Sequence, residues 1–86
     1  MKPSELIKKK GWVQHVSDCD DGYCILGAIW ETCGGFSTEK TTRAMKAVQN
    51  ILDSRTDYLH VGIAAWNDEA GRTKRQVLAV LRKAGL

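Results

Sequence analysis

Between Tyr23 and Cys33 the apolar residues Ile25, Leu26, Ile29, Trp30 and Cys33 recur at helical spacing, and Gly34-Gly35 stops the run abruptly. A helix this apolar must be buried, so the rest of the chain has to be arranged around it. With 86 residues and a hydrophobic fraction of 43%, there is material for one such core. Residues 1–86 therefore read as a single domain. Asp21 is the candidate N-cap of the buried helix, and Asp20-Asp21-Gly22 ahead of it is a strong turn signal.

The remaining segments supply the cover. Pro3 and Ser4 start a short helix over 4–10 that Gly11 can end. Trp12-Val13-Gln14-His15-Val16 is β-branched and aromatic, which predicts a strand or hairpin arm. Ser37 is the candidate cap of a longer helix whose Ala44, Ala47, Val48, Ile51 and Leu52 share one face, with Lys40, Arg43 and Lys46 on the other. Asp57 is placed to cap a short helix carrying Leu59, Ile63 and Trp66, although 58–63 also reads as a strand. Residues 67–71 form a polar turn, and Thr73 with Gln76 makes a capping box for a last helix facing Val77, Leu78, Leu81 and Ala84 inward. The expected fold is mainly α (α-rich α+β), with four to five short helices and one small β-hairpin near residues 12–24. Its core is expected around Trp30, Ile29, Ile51, Leu52, Val77 and Leu81.

Thirteen Lys and Arg against ten Asp and Glu give a net charge of +3, too mild to decide for or against a nucleic-acid partner. No apolar signal region opens the sequence and no run approaches the length of a membrane span, so a cytoplasmic protein without a membrane partner is expected. Three cysteines, Cys19, Cys24 and Cys33, cannot all pair within one chain, and reduced thiols are the expectation.

Taken in order, Gly11-Trp12, Gly22-Tyr23-Cys24-Ile25-Leu26-Gly27-Ala28-Ile29, Ala65-Trp66-Asn67-Asp68 and Gly71-Arg72-Thr73 with Val77-Leu78 resemble a family of small uncharacterised actinobacterial and actinobacteriophage proteins. The resemblance implies a fold shared along most of the chain and an accessory role. It carries over no catalytic residue.

Several residues have the chemistry of a site. Cys24, near a helix start, is a possible nucleophile, with His60 and Asn67 available for a Cys-His-Asn arrangement. A chain this small leaves little room for a substrate cleft, and a buried core thiol is the preferred reading. Asp18, Asp20, Asp21 and Gly22 resemble the opening of a calcium loop, but Ile29 stands where the closing Glu belongs. His15, Cys19, Cys24, Cys33 and His60 lack zinc-ligand spacing. Neither a metal nor a cofactor is expected.

Trp66, Asn67, Asp68 and Arg72 are the candidate binding residues, because Trp and Arg are favoured at hot spots and a loop between helices holds polar groups at defined positions. Three basic groups, Lys8 to Lys10, then Lys40, Arg43 and Lys46, then Arg72, Lys74, Arg75, Arg82 and Lys83, would contact phosphates if the fold gathers two of them on one face. The function read from these features is non-enzymatic binding of a host protein by a monomer or homodimer. A nucleic-acid binder is the alternative, and a sponge for a small ligand such as a nucleotide is the third reading.

Overall fold

In the computed structural model, which describes residues 1–52 and 59–86, α1 (Pro3–Lys10) opens with proline in its first turn and ends at Gly11. The Glu5 carboxylate accepts the Lys2 backbone N–H at 3.0 Å. There follow β1 (Asp18–Cys19), β2 (Gly22–Tyr23), α2 (Ile25–Thr32), α3 (Glu39–Leu52), α4 (Leu59–Asp68) and α5 (Lys74–Lys83). The five helices and one small antiparallel hairpin make the fold mainly α, as the apolar spacing predicts. The Asp57 cap lies outside the described residues, and 59–63 are helical rather than extended.

The hairpin is smaller than its sequence suggests. Asp18 pairs with Tyr23 and Cys19 with Gly22, while in 12–16 only Trp12 makes a bridge, to Tyr23. The rest of 12–17 is irregular because it lies across α2 rather than along a strand. Ser17 O accepts the Cys24 N–H at 2.9 Å. A Cβ on Gly27 would stand 1.9 Å from that same oxygen, so only glycine lets the segment come this close. Gly11 and Gly22 meet in the same way: a Cβ on Gly22 would stand 2.3 Å from Gly11 O.

α2 is the centre of the core and packs against α1, α3 and α4. Ile25, Ala28 and Ile29 are wholly buried, together with Ile7, Val48, Ile63, Val77 and Leu81 from the other helices. Three expected core residues are not: Trp30, Ile51 and Leu52 are half-buried. Trp30 follows Ile29 by one residue, which turns it about 100° away from the buried stripe and onto the rim.

Two caps differ from expectation. Cys24, not Asp21, caps α2, its Sγ accepting the Gly27 N–H at 3.3 Å. Thr38, not Ser37, caps α3, with Oγ1 accepting the Thr41 N–H at 3.1 Å. The capping box of α5 is present as read: Thr73 Oγ1 accepts from Gln76 N at 3.2 Å, and Gln76 Oε1 from Thr73 N at 3.0 Å. The chain ends meet, since the Ser4 N–H and hydroxyl both donate to Leu86 O, at 3.1 and 2.8 Å.

Candidate functional site

Asn67 reads in the sequence as part of a surface turn; it lies instead in the last turn of α4 and is completely buried. Its side chain uses both ends. Oδ1 accepts the Trp12 indole N–H at 2.8 Å and the Ile25 backbone N–H at 3.0 Å. Nδ2 donates to Val13 O at 3.2 Å and Asp68 Oδ1 at 2.9 Å. The Ile25 N–H is one of the orphan donors at the start of α2, so a residue 42 positions away completes that helix's cap. Gln14 Nε2 adds bonds to the backbone oxygens of Asn67 and Glu69, both at 3.0 Å.

The other candidate residues join the same fastening. Arg72 stacks its guanidinium 3.9 Å from the Trp66 ring centroid and donates Nε to Trp66 O at 2.8 Å. It also pairs with Glu69 at 2.6 Å. Asp68 Oδ1 accepts the backbone N–H of His15 at 2.8 Å, where His15 adopts a positive φ of 72°. Burial works against the Asp68 carboxylate, but the His15 N–H, the Asn67 amide and the nearby His15 ring together hold it below the usual range. Gly-Trp at 11–12 and Trp-Asn-Asp at 66–68, the two most distinctive stretches of the sequence, are thus the two halves of one clasp.

Beside this clasp is a cavity of about 170 Å³ bordered by His15, Cys24, Leu26, Trp30, Ala64 and Asp68. A thiol, an imidazole and a carboxylate are among its lining groups, and the histidine is His15 rather than His60. His60 borders a different cavity, and the amide of Asn67 is fully engaged elsewhere, so the Cys-His-Asn arrangement is not assembled. Burial pushes the Cys24 thiol up, outweighing the Gly27 and Leu26 N–H groups, and the negative charges of Asp68 and Asp18 add to the rise. A neutral thiol is a poor nucleophile. All three cysteines are free, Cys19 exposed and Cys24 and Cys33 buried. Under native conditions at neutral pH, iodoacetamide should therefore modify Cys19 alone, with Cys24 and Cys33 reacting only on unfolding. Mass mapping of the first modified site checks this, and a first adduct at Cys24 would contradict it. Among the described residues no three His, Cys, Asp or Glu side chains are grouped to hold a metal ion.

A second region escaped the sequence reading. Phe36 is 70% exposed, the most exposed large apolar side chain of the described residues. Its ring meets Trp30 edge-on, with centroids 6.1 Å apart. The pair borders, with Met45 and His60, a cleft of about 270 Å³. The turn that presents Phe36 is held firmly: Gly35 N donates to Trp30 O at 2.9 Å, Thr38 Oγ1 to Cys33 O at 2.7 Å, and Thr41 Oγ1 to Gly35 O. Trp30 also borders the Cys24 cavity and a third, of about 300 Å³, reaching Asp18 and Glu31. Its indole N–H is buried without an acceptor among the described residues. The one sequence signal was Phe36 itself, an aromatic stranded among Gly34, Gly35 and Ser37 with no apolar periodicity to bury it.

The model of a family of unknown function, DUF6197, matches residues 3–85, and the chain belongs to that family. No curated protein and no solved structure matches it. No helix among the described residues is long and apolar enough to cross a membrane.

Proposed function

We propose that this DUF6197 member is a non-enzymatic binding module, which takes an apolar side chain of a protein partner into the cleft beside Trp30 and Phe36. The observation that carries the reading is the exposure of Phe36 on a turn braced by three hydrogen bonds. An ordered aromatic left in water forfeits about 1.5–3 kcal/mol of burial, which a partner recovers. Rigid aromatic anchors beside a pocket are the usual centre of binding energy at protein interfaces. Val16, 49% exposed, borders the Cys24 cavity together with Trp30.

The binding centre proposed here differs from the 66–72 loop expected from the sequence. Trp66, Asn67 and Arg72 already have internal partners, and moving them toward a ligand would open the clasp. An accessory role in an actinobacterial or phage setting, at the expense of a host protein, belongs to the same proposal. The test is quantitative affinity capture from the native cell with the parent chain and with Phe36→Ala. Loss of a partner by about 30-fold, the consequence of removing a contact worth ~2 kcal/mol, is expected. Undiminished capture by a folded Phe36→Ala protein would refute the reading.

A further inference from the structure

Residues 1–11 and 73–86 carry eight of the thirteen basic residues and one of the ten acidic ones. The fold puts these two segments side by side, because α1 packs on α5. Their direction is antiparallel. Ser4 and Leu86 are bonded at one end, while Trp12 to Asn67 and Arg72 to Trp66 hold the C-terminal end of α1 and the N-terminal end of α5 together at the other. Lys8, Lys9 and Lys10 therefore share an end of the pair with Lys74 and Arg75, and Lys2 shares the opposite end with Arg82 and Lys83. All eight are exposed. Neither ion pair seen among the described residues, Arg43–Glu39 and Arg72–Glu69, uses any of these eight, although the second lies just ahead of α5.

We infer that the α1–α5 face is a binding surface for the phosphate backbone of double-stranded nucleic acid, read without regard to base sequence. Charge complementarity selects a polyanion, since unpaired, solvated cations gain by releasing the counterions condensed on phosphates. The apolar content of the face selects among polyanions. Of the exposed large apolar side chains, Met1, Val16, Phe36 and Val61, only Met1 lies in these two segments. One methionine is not the continuous apolar face that inserts into a lipid interface, and without an exposed aromatic there is no platform on which single-stranded bases stack. The acidic hairpin carrying Asp20 and Asp21 abuts Gly11 and closes the face on one edge. This surface is independent of the Phe36 cleft.

The experiment is fluorescence anisotropy of a labelled 20-base-pair DNA duplex titrated with the full chain at rising salt. Engagement of about five phosphates gives a log–log salt slope near −4.5, so Kd should rise about 500-fold between 50 and 200 mM salt. Lys8→Gln/Lys9→Gln/Arg75→Gln should flatten the slope to about −2. Arg43→Gln/Lys46→Glu on α3, which lowers the net charge by the same three units and leaves Lys40 beside Lys2 intact, should leave it unchanged, as should Phe36→Ala. Equal losses from the two charge-matched variants would overturn the proposal, since net charge and not this face would then be responsible. No salt-dependent binding would overturn it too. So would tighter binding to a single strand, to vesicles with 30% phosphatidylserine, or to a second copy of the chain seen by sedimentation. Circular dichroism of each variant confirms that the comparison is between folded proteins.

Discussion

Asn67→Ala is expected to remove a large share of the stability of this domain. The substitution deletes four side-chain hydrogen bonds at once, to Trp12, Ile25, Val13 and Asp68. Deleting bonds is the smaller part of the cost. The Ile25 N–H at the start of α2 and the Trp12 indole N–H both lose their acceptor. Each orphaned donor costs about 1–3 kcal/mol, so a total of about 3–5 kcal/mol is expected. A domain of this length has roughly 4–13 kcal/mol to lose. The melting temperature should fall by at least about 12 °C. Trp12→Phe removes one of the two donors that Asn67 serves, so its effect and that of Asn67→Ala should be less than additive in the double variant. A denaturation midpoint within about 1 kcal/mol of the parent would show that the clasp is not what joins the 12–17 segment to the helices.

The second large effect is expected from Gly27→Ala, with a sign opposite to the usual one. Within an exposed helix the change from Gly to Ala stabilises by up to about 1 kcal/mol. Here the added methyl would meet Ser17 O at 1.9 Å. Ser17 O is backbone and is itself the acceptor for the Cys24 N–H, so the clash is relieved only by lifting the 12–17 segment from α2. A loss of about 2–4 kcal/mol is expected, within the range of overpacked cores that must move backbone. Because Cys24 lies under that segment, its modification by iodoacetamide should also become faster than in the parent. Stability equal to or above the parent's would disprove the close approach.

Both effects concern contacts that sequence periodicity does not carry, and this separates what was legible from what was not. The five helices and the Thr73–Gln76 box depend on residues within about four positions of one another, where propensity and capping rules apply. The clasp depends on residues 55 apart. Asn67 followed by Asp68 carries the composition of a turn, and that signal is misleading here. A better one was available, since Asn67 is four residues after Ile63 and so shares its helical face; both are wholly buried. Gly27 was a comparable clue, a lone glycine inside an apolar helix, where close backbone approach is the common reason. Cys24 as a cap was harder to see, because sulfur is a weak acceptor and cysteine is not among the usual capping residues. For the basic residues, the total charge concealed their distribution. Only the packing of α1 on α5 shows that the two segments carrying eight cations, with Glu5 as their one acidic residue, lie side by side.

The bonds between Ser4 and Leu86 impose an order on how the molecule can come together as it is made. α1 rests on a residue made 82 positions after Ser4. Its buried face, Leu6 and Ile7, has α2 to pack against early, but the anchor at its N-terminal turn does not exist until residue 86 has been made. The Trp12 clasp must likewise wait for residue 67. Such distant pairings slow folding, because chain closure comes before any contact rewards it. Residues 12–24 are thus translated with their segment undocked and Cys24 uncovered, and α1 and the hairpin gain their fastenings only from helices made after them.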